Sequence, residues 1–353
     1  MSSLAASITL AQKNMVQYGH LSMYILATIG SLINILLFSR RQLRSNSCCL
    51  YFLASSVNAL LLLAIGILPQ TYALYNSPNP FTSIQSFCKA RTYLNQTSAM
   101  SCRWLLVVAC IDRCSSCSTN AFIRRFSSVI MARRMVIIII IFWFLLPIHT
   151  IIYSTITPPG NIACSILDTD VALYHRFYTI IMGGALPTII TLLCSLFIWK
   201  SVKERRKRRL PLSNNNNDVN KRKKAQDQQV LFMLIVQIGI FIISTIPFMS
   251  FNIYDTMTRT VTNKSTDRKA IETFFKSFTE LLVYLIAMSF YSNTLVSRTF
   301  RKELVLVMKS IIYCGRQQQH RQIGPSIATL TGKHTVDRMT AMRTTRMIIP
   351  EVN

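Results

Sequence analysis

The chain has 353 residues, of which 51% are hydrophobic and 15% charged, against roughly 25% charged residues in ordinary globular proteins. The formal net charge is +26, yet Lys and Arg fall in short blocks between apolar runs, and no charged residue stands between Arg44 and Lys89. This pattern argues against a water-soluble enzyme, a disordered basic chain and a nucleic-acid binder, and points to a protein that crosses a membrane several times.

A membrane helix needs about 20 mostly apolar residues, because in lipid the backbone must satisfy its own hydrogen bonds. Seven segments qualify: Leu21–Ser39, Cys48–Tyr72, Thr92–Ile111, Met135–Ile156, Phe177–Trp199, Val230–Tyr254 and Phe274–Thr294. The third and seventh carry the weakest signal, since Arg103, Lys276 and Glu280 interrupt them. The first reads as a retained helix. Only Lys13 precedes it, and no small-residue cleavage site follows an apolar core. The predicted fold class is therefore an all-α membrane protein, a seven-transmembrane helix bundle over residues 21–297 after a short outer segment, 1–20.

Lys and Arg counts set the orientation. With the N-terminus outside, the inner loops hold 19 basic residues and the outer segments 8, and the tail from Arg298 adds ten to the inner side. Seven spans then place the C-terminus in the cytoplasm and the chain in the plasma membrane. Of ten cysteines, Cys88 and Cys164 alone fall on or beside outer loops, where an oxidising exterior would pair them.

The loop Lys200–Gln229 carries two basic clusters around Asn214–Asn217, a composition suited to a solvated segment and to anionic lipid. Phe300, Leu304, Val307 and Ile311 recur at helical spacing, predicting a basic amphipathic eighth helix over 298–314, lying along the membrane. Cys314 at its end is a candidate palmitoylation site. Residues 315–353 read as a disordered cytoplasmic tail. Asn263-Lys264-Ser265 lies in an outer loop and is a glycosylation candidate, whereas Asn95-Gln96-Thr97 lies inside a span.

Catalytic chemistry finds no support. The five histidines show no metal-ligand spacing, there is no glycine-rich phosphate loop, and Glu280 is the lone carboxylate in a span core. No enzyme activity, cofactor or metal is expected. Absence of internal repeats and of a polar pore stripe argues against a transporter or channel, though these remain the alternative from another class.

Asp112-Arg113-Cys114 closes the third span and resembles the Asp-Arg-Tyr motif of the rhodopsin-like (class A) G-protein-coupled receptors. Cys88, 25 residues before Arg113, and Cys164 match that family's third-span and second-outer-loop cysteines. Gly30-Ser31-Leu32-Ile33-Asn34 resembles its first-span Gly-x-x-x-Asn. Trp143, Pro187, Pro247 and Phe300-Arg301 stand where it keeps similar residues. Phe241, six before Pro247, matches its aromatic switch. Asp227, 20 before Pro247, falls where many members place an acid facing the motif arginine.

The chain also departs from the pattern. Asn58 replaces the sodium-binding aspartate. Ser244-Thr245-Ile246-Pro247 lacks the sixth-span tryptophan. Ser289-Phe290-Tyr291-Ser292-Asn293 lacks the proline and usual tyrosine of the seventh-span motif.

The resemblance implies a receptor that transduces an extracellular ligand to a heterotrimeric G protein, with arrestin as a further partner. Asp112, Arg113 and Asp227 would form the resting lock at the coupling end. Asn34, Asn58, Arg103, Phe241, Pro247, Glu280 and Ser289 would form the core switch, and Asn95, Lys276 and Glu280 would line the ligand pocket. Asn95 stands where amine receptors carry an aspartate, and no lysine stands at the retinal position. The short N-terminus and mixed outer charges are most like invertebrate small-peptide receptors. A chemosensory receptor for small molecules is the alternative within the fold. Arg103 lies ten residues from Arg113, about 15 Å along the axis. Near the bilayer centre it requires an interior partner, either Glu280 or backbone carbonyls and hydroxyls such as that of Ser289.

Overall fold

The computed structural model describes residues 3–75, 83–118, 120–157, 162–207, 218–258, 263–298 and 300–309. The chain divides into two units, Met1–Val305 and Leu306–Asn353. The first is the helix bundle. Of the second, only residues 306–309 are described, and they are helical.

All seven expected spans are present as helices, with local breaks that composition does not announce. The first runs Leu21–Phe38. It continues backwards through a π-helical turn, Met15–His20, into a helix over Ser3–Asn14. This N-terminal helix was not foreseen, and it lies on the seventh span, where Gln12 Nε2 donates to Ser277 Oγ at 3.2 Å.

The second span breaks at Ile67 into Ser47–Gly66 and Leu68–Tyr75. The third is a single helix, Gln85–Cys117. The fourth is Val129–Leu145, then Ile148–Tyr153 after Pro147. The fifth comprises Thr169–Ile180, a π-helical segment Ile181–Ala185, and Leu186–Lys207. The sixth is Asp218–Met257 with Pro247 inside it. The seventh is Thr266–Val283, a 3-10 turn Tyr284–Met288, and Ser289–Val296.

Several helix starts carry the side-chain caps that orphan N–H groups demand. Asn46 Oδ1 accepts from Cys48 N, Ser128 Oγ from Met131 N, Asp168 Oδ1 from Asp170 N and Val171 N, and Ser265 Oγ from Arg268 N.

Among the described residues, six helices are long and apolar enough to cross a membrane by length and composition, and Gln85–Cys117 is not among them. Its tolerance for polar residues follows from its place. Ser98, Ser101, Arg103, Asp112 and Arg113 are all buried by neighbouring helices. The fourth span shows the opposite balance: Ile137, Ile138, Ile141 and Phe142 face outwards, while Ile139 and Trp143 face the bundle. In lipid an apolar outer face carries no penalty.

A two-stranded antiparallel hairpin, β1 (Ser154–Thr157) and β2 (Ile162–Ile166), follows the fourth span. Ser154 faces Ile166, and Thr155 faces Ser165. Phe300 is buried between Phe38, at 5.5 Å between ring centroids, and Phe290, at 6.0 Å. Glu303 approaches Arg40 at 3.7 Å. The expected eighth helix is thus seen over residues 300–309, and Cys314 lies outside the described residues.

Candidate functional site

At one end of the third span, Asp112 and Arg113 form a buried pair. Asp112 is 0% exposed and Arg113 6%. Arg113 Nη2 and Nε both donate to Asp112 Oδ2, at 2.6 and 3.0 Å. Ser47 Oγ donates to the same carboxylate oxygen at 2.8 Å and receives Arg113 Nη2 at 2.7 Å. Ser47 opens the second-span helix, so the carboxylate sits at a helix N-terminus, where the dipole favours negative charge. Ser47 went unnoticed in the sequence, because only the packing of the second helix on the third brings it there. The Asp227 side chain lies outside the described residues.

Deeper in the bundle, Asn34 Nδ2 donates to Ser289 Oγ at 3.0 Å, joining the first and seventh spans. Gln237 Nε2 donates to Asn293 Oδ1 at 2.9 Å, joining the sixth and seventh. Asn58 turns to its own helix and donates to Ala54 O at 2.9 Å. A cavity of about 20 Å³ lies here, lined among others by Tyr51, Ser55, Gln237 and Ser289. That is room for one water molecule with polar partners. Phe241 is fully buried, and its carbonyl accepts from Ser244 Oγ at 2.9 Å.

Arg103 does not meet Glu280. Among the described residues, no ion pair joins them. Arg103 Nη1 donates to Gly183 O at 3.0 Å, and its guanidinium carbon lies 5.2 Å from the centre of the Phe248 ring. The neighbouring Trp104 Nε1 donates to Met182 O at 2.8 Å. The reason lies in the fifth span. Pro187 has no N–H to give Gly183 O. Leu186 N goes back to Ile181 O in the π segment, so Met182 O is also left without its helical donor. A carbonyl freed in the membrane interior needs another donor, and two consecutive third-span side chains supply them. Gly183 permits the approach, since a β-carbon there would lie 2.7 Å from Arg103 Nη1.

Glu280 instead accepts from Gln70 Nε2 at 3.3 Å. Arg91 plays a role parallel to that of Arg103. Its Nε reaches Ile65 O at 3.2 Å, the carbonyl that Pro69 cannot bond, and its Nη2 reaches Gly66 O at 3.2 Å. The opposed pairings explain why the expected Arg103–Glu280 contact does not form: each side chain is held on a different face of the bundle.

The opposite end of the third span carries the Cys88–Cys164 disulfide, with Cα atoms 5.5 Å apart. It ties β2 to this helix, and Gln85 adds two bonds to the hairpin, accepting from Ile156 N and donating to Ser154 O. Around this end, Arg176 meets Asp255 at 2.6 Å, and Lys264 and Arg268 both meet Glu272, at 2.8 and 3.1 Å. His149 and His175 approach at 2.9 Å. A crevice of about 420 Å³ opens between the sixth and seventh spans, lined by Phe251, Tyr254, Arg268, Glu272, Phe275 and Phe278 among others.

None of the three pocket residues expected from the resemblance lines this crevice. Lys276 is exposed. Asn95 faces the second span, with Oδ1 at 3.0 Å from where a Gly66 β-carbon would stand, and Glu280 is held by Gln70. Asn263 is exposed, as a glycosylation acceptor requires.

No curated protein matches the chain. The family model of the 7 transmembrane receptors (rhodopsin family) matches residues 30–289, which includes the Asn34–Ser289 contact, the Asp112–Arg113 pair and the disulfide. The chain belongs to the rhodopsin family of seven-transmembrane receptors.

Proposed function

We propose that this multi-pass receptor stands in the plasma membrane with its N-terminus and the Cys88–Cys164 end outside, and passes the binding of an extracellular small peptide to a heterotrimeric G protein at the Arg113 end. The observation that carries this reading is the buried Asp112–Arg113–Ser47 cluster at the end opposite the disulfide. A paired arginine held at a helix end can be released when the sixth span moves. The excess of Lys and Arg in the loops on that side supports the orientation. It also supplies positive charge for anionic lipid and for an acidic partner surface, with arrestin as a second partner.

The peptide reading rests on the alternating charges at the disulfide end, Arg176–Asp255 and Lys264–Glu272–Arg268, which suit a polar, extended ligand. The test is guanine-nucleotide exchange on G proteins in membranes bearing the full chain, screened with a peptide library and with small organic molecules. Exchange driven by a peptide supports the proposal. Exchange driven only by small molecules replaces the ligand class. Ligand-gated ion flux without exchange refutes the receptor reading.

A further inference from the structure

We propose that Arg103 forms a buried anion site where the third, fifth and sixth spans meet, on the disulfide side of Pro187 and Pro247, filled by a carboxylate of the extracellular ligand or by a halide ion. The inference rests on the receptor reading above in placing the ligand at the disulfide end.

Both partners of the guanidinium stand on the disulfide side of a span proline. Gly183 stands one helical turn on the disulfide side of Pro187, and Phe248 one residue on the same side of Pro247. Arg103 reaches both. On the same face of the third span, Met100 and Gln96 stand one and two turns closer to the disulfide, and Gln96 Nε2 donates to Thr179 Oγ1 at 3.3 Å. The charge therefore lies at a junction of the third, fifth and sixth spans, below polar and thioether side chains.

The charge is buried, with Arg103 3% exposed, and arginine keeps its proton even so. Each described acid in an ion pair belongs to another base: Asp112 to Arg113, Asp255 to Arg176, Glu272 to Lys264 and Arg268, and Glu303 to Arg40. Glu280 is with Gln70. What touches Arg103 is a neutral carbonyl and a ring, and its Nε is buried without a partner among the described residues. A carbonyl and an aromatic face stabilise a cation only in part. A guanidinium with donors to spare is the group best shaped for a carboxylate, and Phe248 with Met100 keeps water from competing.

The test uses the full chain in lipid nanodiscs. A thiol-reactive fluorogenic dye reports the thermal midpoint through exposure of the buried Cys48, Cys49, Cys102 and Cys110. The probes are 3-phenylpropionate, its neutral amide, and sodium chloride against the bulkier isethionate. A ligand that binds only the folded state raises the midpoint. The acid, or chloride, is expected to raise it in the wild type while the amide does not. The apparent affinity should fall about tenfold or more in Arg103→Gln and by less in Arg103→Lys, which keeps the charge but loses the planar fork. A shift by the acid that chloride competes away assigns the site to a ligand carboxylate. A shift by chloride alone assigns it to a halide. Equal effects of acid and amide, no effect of any anion, or an undiminished effect in Arg103→Gln would overturn the proposal. If Arg103→Gln does not fold, the acid–amide contrast in the wild type still decides. Binding is read without a G protein, so an anion shift with no nucleotide exchange would fault the receptor reading and leave the anion site standing.

Discussion

Replacing Asp112 by Asn leaves a side chain of nearly the same shape but removes the charge that holds Arg113. Three donors converge on Asp112 Oδ2: Arg113 Nη2 at 2.6 Å, Arg113 Nε at 3.0 Å and Ser47 Oγ at 2.8 Å. Both charged residues are more than nine-tenths buried, so water does not compensate for the loss. Unit charges about 4 Å apart attract by about 4 kcal/mol at an effective dielectric of 20. Removing one member of a buried pair costs about 3–5 kcal/mol, because the remaining charge stays desolvated. Asn returns about 1 kcal/mol of that through its amide oxygen. The state in which Arg113 is packed inwards thus loses about 2–4 kcal/mol against one in which the guanidinium swings out to water. Since 1.4 kcal/mol is tenfold, the active population should rise by roughly 30-fold or more. The assay is basal nucleotide exchange at matched surface expression, with thermal midpoint measured on the same samples. Unchanged exchange together with an unchanged midpoint would refute the reasoning, because it would mean the pair contributes nothing to the resting state.

Cys88→Ser or Cys164→Ser opens a loop with a sequence separation of 76, worth about 4 kcal/mol by chain entropy. Thermal unfolding should show a large loss of stability in either single variant and no further loss in the double. Gly183→Ala places a β-carbon 2.7 Å from both Arg103 Nη1 and Met100 Cε. Overpacking of this kind costs about 1–3 kcal/mol, visible as a lowered thermal midpoint that Gly239→Ala, with open space around it, does not share. Asn34→Ala leaves Ser289 without its donor and should cost about 1–3 kcal/mol in unfolding measurements. Arg103→Leu and Glu280→Gln touch separate partners, so their stability effects should add within about 0.5 kcal/mol. A larger coupling in that double-mutant cycle would place the two side chains in one network.

The positions of the spans were readable because lipid imposes a single rule on composition, and charge-poor runs such as Arg44 to Lys89 have no other physical explanation. The pairing of Cys88 with Cys164, the burial of Asp112 and Arg113 and the contact of Asn34 with Ser289 follow residues that the sequence already singled out. Ser47 and Ser127 beside Arg113 were invisible, since a serine carries no local signal of the long-range neighbour it will meet.

Arg103 shows where composition stops. The sequence marked it as a buried cation in need of a partner and left open whether that was Glu280 or backbone carbonyls and hydroxyls. It could not show that Pro187 and the π-helical turn before it free two carbonyls on the fifth span, or that Arg103 and Trp104 lie side by side to receive them. The sequence by itself determined the number and order of the spans, the charge asymmetry and the residues too polar to face lipid. Tertiary structure alone decided that Arg103 and Trp104 took fifth-span carbonyls, that Glu280 took Gln70 and that Ser47 joined the Asp112–Arg113 pair. A backbone carbonyl becomes available only after helix geometry and proline placement have removed its usual donor, and that vacancy exists only in the folded bundle.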